Sequence, residues 1–296
     1  MAAVLLLAAL AVAWRPAAPL PLARSEVAAA TLGREIVVVG GFLPDGRSTG
    51  RVDAYSPARD RWRPLPPLPV PVNHAMAASA NGKLYVVGGY TAGFRRKLRR
   101  AFVFERNAWR ALPPMPAARA AGGAAIVADK LYVVGGVGPA GLARQMLVLD
   151  LATRRWSAQP GPLPREHLAV ASAGGRIYAL GGRTSGFGTN LAAFEAYSPG
   201  AQRWLPLAPI PGARGGTGAA VAGGSLVSVG GEAPSGTIAA VYGFDLLRRR
   251  WSRLPDLPTP RHGLGVVALG EQVYAVGGGH EPGLSTSAAN EVLTLR

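Results

Sequence analysis

Six short apolar runs punctuate the chain, and each ends in a pair of glycines: IVVVGG, LYVVGG twice, IYALGG, LVSVGG and VYAVGG. The pairs are Gly40-Gly41, Gly88-Gly89, Gly135-Gly136, Gly181-Gly182, Gly230-Gly231 and Gly277-Gly278, spaced by 48, 47, 46, 49 and 47 residues. A continuous apolar run bounded by glycine predicts a strand buried on both faces. A tryptophan follows each of the first five pairs by 21–23 residues: Trp62, Trp109, Trp156, Trp204 and Trp251. Four of these have an aromatic residue or leucine seven positions earlier (Tyr55, Leu149, Tyr197 and Phe244), while Trp109 has Phe104 five positions earlier. Proline-rich turns such as LPPLP at 65–69 and LPDLP at 254–258 come next. Each unit therefore reads as four antiparallel strands. The second ends in Gly-Gly and the fourth carries the tryptophan.

The two ends of the chain complete each other. No tryptophan follows the sixth glycine pair, but Trp14 precedes Gly40 by 26 residues. Trp62, Trp109, Trp204 and Trp251 precede their next pair by the same 26, and Trp156 by 25. The segment 14–20 is thus an outermost strand without a unit of its own, and 262–296 is a unit without an outermost strand. Pairing the two caps an open sheet edge. The expected fold is all-β, a six-bladed propeller in one domain over 14–296. Its blades span 26–66, 74–113, 120–160, 166–208, 215–255 and 262–296, with 14–20 closing the ring. A period near 47 with a Gly-Gly strand end and one tryptophan resembles the kelch repeat, and the resemblance covers nearly the whole chain.

Composition agrees with that reading. Gly and Pro together number 66 of 296 residues, which disfavours long helices, and hydrophobic residues make up 49%. There is no cysteine, so disulfides, thiolate metal sites and cysteine nucleophiles are excluded. The net charge is +16, carried by 29 Arg and 3 Lys. Residues 2–14, AAVLLLAALAVAW, are too short to span a bilayer, which takes about 20 apolar residues. They have the length of a signal-peptide core, with Ala11-Val12-Ala13 as a small-x-small cleavage pattern, although no Lys or Arg precedes Arg15. The expectation is a leader over 1–13 and an exported protein, with a buried N-terminal segment of a cytoplasmic protein as the alternative.

Candidate chemistry comes from counting along the repeat. Sixteen residues before each glycine pair stand Arg24, Val72, Arg119, Arg165, Arg214 and Arg261. The next two positions hold Ser25-Glu26, Asn73-His74, Ala120-Ala121, Glu166-His167, Gly215-Gly216 and His262-Gly263. This register falls at the inner end of each blade, on the loop face where ligands usually enter. The expected site is an arginine-lined mouth formed by Arg24, Arg119, Arg165, Arg214 and Arg261, with Glu26, Asn73, His74, His167 and His262 beside it. Guanidinium forks match carboxylate, sulfate and phosphate geometry, so an anionic small molecule, acidic peptide or glycan is the expected partner. The alternative role for each arginine is hydrogen bonding to a neighbouring blade's backbone. The run Phe94-Arg95-Arg96-Lys97-Leu98-Arg99-Arg100 extends the positive surface on the same face. Arg154-Arg155 and Arg248-Arg249-Arg250 read as solvated turns on the opposite one.

Other chemistries are poorly supported. Aromatics do not interleave with the arginines, so nucleic acid is not an expected partner. Zinc-protease, phosphate-loop and serine-elbow motifs are absent. His74, His167 and His262 come from blades 2, 4 and 6, which places them around a wide ring and implies no shared metal or cofactor. The fold also resembles the central domain of galactose oxidase, but that copper site needs a cysteine. Size, repeat and leader are similar to exported kelch proteins of the N-acetylneuraminate epimerase type. That resemblance implies an acidic sugar in the mouth, Glu166 as acid/base, and Arg165 with Arg119 or Arg214 clamping the sugar carboxylate. A scaffold without a pocket ligand is the third reading.

Overall fold

The computed structural model describes residues 12–295. The expected leader over 1–13 lies outside the described residues, apart from the exposed Val12 and Ala13. Six four-stranded antiparallel sheets surround one axis. Their innermost strands are Ala28–Leu32, Met76–Ala80, Gly123–Val127, Glu166–Ala173, Gly218–Ala222 and Gly265–Leu269, each packed against the innermost strands of both neighbours. The sixth sheet takes its outer strand from the other end of the chain: Trp14–Pro16 pairs with Asn290–Thr294, Trp14 opposite Leu293. The fold is a six-bladed propeller closed by its N-terminal strand. The ladder stops at Pro16, but the N–H groups of Ala17 and Leu20 still donate to Asn290 and Ala288. No helix among the described residues is long and apolar enough to cross a membrane.

The continuous apolar runs follow from this stacking. Each blade is covered on both faces, so both parities of a strand must be apolar. In the strand Glu35–Val39, Ile36 and Val38 pack toward blade 6 while Val37 and Val39 pack toward blade 2. In Lys83–Val87, Leu84 and Val86 face blade 1, and Tyr85 and Val87 face blade 3. The result is six apolar layers, one between each pair of neighbouring blades. At the rim every indole N–H donates to the preceding blade: Trp62 to Ala18, Trp109 to Pro66, Trp156 to Pro113, Trp204 to Pro160 and Trp251 to Ala208. Trp14 closes the series by donating to Pro255 at 2.9 Å.

The glycine pairs mark where blades cross. The N–H of the second glycine donates to the carbonyl of the next blade's arginine position, as in Gly89 to Arg119 and Gly278 to Arg24. At Gly88, with φ of +65°, an added Cβ would lie 2.2 Å from the Arg119 carbonyl oxygen. That conformation strains a side chain, and that contact excludes one.

The five arginines correct the sequence expectation. Arg24, Arg119, Arg165, Arg214 and Arg261 are buried, and their guanidinium groups turn down into their own blades. Nη1 of Arg24, Arg119 and Arg214 donates to the first glycine of its blade's pair, Gly40, Gly135 and Gly230. Arg261 reaches Gly277 through Nε at 2.7 Å, and Arg165 reaches Ala179. The blade's third strand answers the charge. Arg24 meets Asp53 at 2.7 Å, Arg261 meets Glu291 at 2.6 Å, and Arg165 meets Glu195. The corresponding residue in blade 5 is Tyr242, whose ring lies under Arg214 at 5.2 Å. In blade 3 it is Leu147, so Arg119 has only carbonyls. Blade 2 has no arginine at this position: Val72 takes its place, and Phe102 takes the acid's. Burial, unopposed at Arg119 and only weakly opposed by Tyr242 at Arg214, pushes both guanidinium groups down to about 10.

Two measurements test this wiring. Gly88→Ala is expected to destabilise at least twice as much as Gly82→Ala in denaturant unfolding. Gly82 has φ of +69° with open space around it, so its alanine costs only the left-handed strain of roughly 1–2 kcal/mol. Arg261→Met leaves the Glu291 carboxylate unpaired and is expected to cost about 3–5 kcal/mol. Arg119→Met strands two carbonyls and no charge, and is expected to cost about 1–3 kcal/mol. Equal losses from the two arginine variants would remove the acid partner from the account.

Candidate functional site

The side chains at the axis are aimed by a backbone seam. The position two residues after the arginine is left-handed in every blade: φ is 50° at Glu26, 50° at His74, 54° at Ala121, 52° at His167, 66° at Gly216 and 54° at Gly263. Each N–H donates to the carbonyl of its counterpart one blade earlier: His74 to Glu26, Ala121 to His74, His167 to Ala121, Gly216 to His167 and Gly263 to Gly216. The circle closes through Val27, which donates to Gly263 at 3.3 Å. This seam draws the six positions close to the axis, so their side chains meet over it. His74 Nε2 lies 3.0 Å from His167 Nε2. The wide separation expected of the histidines is therefore wrong for this pair, because the seam's radius is far smaller than that of the disc.

A cavity of about 380 Å³ opens above the seam on the loop face. Seven of its side chains form a closed circuit. His74 Nε2 is 3.1 Å from Glu26 Oε2, and Glu26 Oε1 is 3.1 Å from His262 Nδ1. His262 Nδ1 lies 3.6 Å from Glu232, which takes Arg183 Nη1 at 2.7 Å. Arg183 Nε lies 3.4 Å from Glu166 Oε1, itself 3.5 Å from His167 Nδ1. The His74–His167 contact completes the loop. Phe42, Tyr90, Phe94, Phe187 and Leu284 form the remaining wall, with Phe94 55% and Leu284 66% exposed at the rim.

Charge states follow from these contacts. Burial, opposed by Glu26, pushes His74 down to about 4, so it is neutral at pH 7. Burial also works against charge at His262, but its hydrogen bond to Glu26 and the nearby Glu232 outweigh this and raise it. Burial favours a neutral Glu26, yet the surrounding imidazoles hold it well below the usual carboxylate range. With His74 uncharged, His262 is the imidazole beside Glu26 whose protonated form the contacts favour. Glu166 is likewise held low, first by His167 and then by Arg183, against the effect of burial.

The expected residues thus divide. Glu26, His74, Glu166, His167 and His262 line the cavity. Asn73 stands behind His74, accepting from Nδ1 at 2.6 Å. The five arginines do not line it, so Arg165 with Arg119 or Arg214 forms no clamp there. The guanidinium that does is Arg183, 4.9 Å above the Phe187 ring. Arg183 and Glu232 each follow directly after a glycine pair, as do Phe42 and Tyr90. That position bridges back to the residue after the arginine, as in Glu166↔Arg183 and Gly215↔Glu232. The same counting that singled out the arginines would reach it one step past each pair.

The family comparison agrees with this architecture. The family model described as the KLHDC2/KLHL20/DRC7 Kelch-repeats domain matches residues 26–208 and, in a second overlapping register, 114–278. Together the matches span from the first blade's inner end to the sixth blade's glycine pair. With its six glycine-terminated blades and its rim of indole bonds, the chain belongs to the Kelch-repeat family.

Proposed function

We propose that this propeller is a protein-binding module whose loop face takes up an acidic, partly apolar segment of a partner. The observation that carries the reading is the ribbon Tyr90–Thr91 and Arg96–Lys97 with its tip. Phe94, 55% exposed, overhangs the cavity and packs on Phe42, His74 and Tyr90 at 5.2–5.4 Å between ring centres. Arg95, Arg96, Lys97 and Arg100 follow it, and none is in an ion pair among the described residues. Inside the cavity, by contrast, Arg183 and His262 already face carboxylates. The ribbon thus concentrates four unpaired basic residues on this face, where Arg144 of blade 3 is a further exposed one. A cleft of about 640 Å³ runs on one side of it, between Arg47-Ser48 and Thr91–Arg95, and another of about 500 Å³ on the other, along Arg96–Ala101. An aromatic anchor beside unpaired guanidinium groups is the composition of an interaction hot spot.

An array of ten-residue peptides, graded in Asp/Glu content and with or without one aromatic residue, tests the reading. Acidic peptides carrying an apolar residue are expected to be retained best, and retention is expected to fall as salt rises. Phe94→Ala is expected to weaken retention about 30-fold, the effect of truncating one hot-spot aromatic at about 2 kcal/mol. The pair Arg95→Glu and Arg96→Glu is expected to weaken it at least as far. Retention that ignores both changes, or that favours neutral peptides, overturns the assignment.

A further inference from the structure

The seam places three ligand-bearing side chains where glycine would sit without strain. Blades 5 and 6 carry Gly216 and Gly263 at the left-handed position, while blades 1, 2 and 4 carry Glu26, His74 and His167. A non-glycine residue there costs on the order of 1 kcal/mol, and such outliers collect at functional sites. These three converge. Nε2 of His74 lies 3.0 Å from Nε2 of His167 and 3.1 Å from Oε2 of Glu26, and all three atoms fall within 4.8 Å of one another. Ala121 of the intervening blade offers only a methyl group, so the two imidazoles meet across it.

Counting protons shows what is missing between them. Asn73 Nδ2 donates to Ser48 Oγ at 2.7 Å and to the Gly93 carbonyl at 3.0 Å, which turns Asn73 Oδ1 toward His74. Nδ1 of His74 therefore carries the proton, donated to Asn73 at 2.6 Å, and its Nε2 is a bare lone pair. In a neutral His74 that lone pair faces the Glu26 carboxylate at 3.1 Å. If His167 donates from Nε2, its buried Nδ1 becomes a second lone pair, without a hydrogen-bond partner and facing Glu166 at 3.5 Å. If His167 instead carries its proton on Nδ1 toward Glu166, three lone pairs meet at one point. With neutral imidazoles no placement of the His167 proton satisfies both ends. A cation shared by the three atoms does, either an extra proton on His74 or a metal ion.

We propose that Nε2 of His74, Nε2 of His167 and Oε2 of Glu26 bind a divalent first-row transition ion at the floor of the cavity. Metal–ligand distances of about 2.1 Å put adjacent ligand atoms about 3.0 Å apart at right angles and about 3.4 Å apart in a tetrahedron, which fits the two pairs made by His74; the His167–Glu26 pair, within 4.8 Å, has to close to about 4.2 Å or less as the ion binds. Two imidazoles with one carboxylate select Zn²⁺, Fe²⁺ or their neighbours over Ca²⁺ and Mg²⁺. The outer contacts are those of a ligand set: Asn73 behind one imidazole, Glu166 behind the other, and His262 holding the second oxygen of Glu26. The remaining coordination positions face the cavity, where water or a partner's side chain completes them. This site does not depend on the ribbon taking up an acidic segment.

The test is titration of the full chain, stripped with a chelator, with Co²⁺ and then Zn²⁺. One equivalent is expected to bind, with visible Co²⁺ absorption that Zn²⁺ displaces. The X-ray absorption spectrum of the Zn²⁺-loaded wild type is expected to show two imidazoles. His167→Gly and Glu26→Gly install the residue that blades 5 and 6 already carry. Each is expected to keep the fold and weaken binding at least about 100-fold. Asn73→Ala, a positioning change, is expected to weaken it about 10–100-fold, while Asn73→Asp, which keeps an acceptor for His74 Nδ1, is expected to retain binding. His280→Ala, at an exposed histidine on another loop, is expected to change nothing. Failure of the wild type to bind one equivalent, a spectrum without imidazole, or full retention of binding in His167→Gly overturns the proposal.

Discussion

Neighbouring blades are joined at the axis by a circle of six backbone hydrogen bonds, and the rest of the site depends on it. Each bond runs from a left-handed residue to its counterpart one blade earlier, until Val27 returns the chain to Gly263. The left-handed turn brings each donor within reach of the neighbouring carbonyl. It also throws the side chain inward over the axis. A right-handed residue at the same place would lose both effects. Residues as far apart in the chain as Glu26 and His262 consequently lie in contact.

Charge is organised in two tiers around that seam. Below it, arginines are drawn into the blades to satisfy the carbonyls exposed where Gly-Gly interrupts the ladder. Their partners vary by blade: Asp53, Glu195 and Glu291 where an acid is present, the Tyr242 ring in blade 5, and carbonyls alone in blade 3. Above it, the side-chain circuit holds three carboxylates against Arg183 and His262, whose protonated form is favoured by Glu26 and Glu232. A chain of net charge +16 thus has a cavity floor with acid in excess of base. Exposed arginines outside any ion pair among the described residues stand on both faces, among them Arg95, Arg96 and Arg100 on the ribbon around Phe94 and Arg154, Arg155, Arg249 and Arg250 on the opposite face.

The cavity joins two environments that seldom share one wall. One side is aromatic and reaches solvent through Phe94 and Leu284. The other is a hydrogen-bonded circuit in which His74 and His167 are nearly buried. Apolar contact at the rim and ligation at the floor are separate capacities. Blades 1, 2, 4 and 6 each contribute to both walls: the residue at the seam supplies the polar floor, and the residue after the glycine pair or the loop beyond it supplies most of the aromatic rim.

The period of the chain determined the topology. Six glycine pairs count the blades, continuous apolar runs mark strands covered on both faces, and the offset of Trp14 closes the ring. Those properties are one-dimensional, because every blade meets its neighbour in the same register. Which way a side chain turns at a fixed register is not written in the period. Arginine at the inner end of a blade can point into the mouth or back toward Gly-Gly. The orphaned carbonyls and the third-strand acids decided for the latter, and Asp53, Glu195 and Glu291 were visible in the sequence only once that partner was known. The radius of the seam was equally hidden. It rests on six positive φ angles, and Glu26, Ala121 and two histidines do not advertise that conformation as glycine does. Only the closed ring brings blades 2 and 4 to 3.0 Å at His74 and His167, and sets Arg183 and Glu232 beside them.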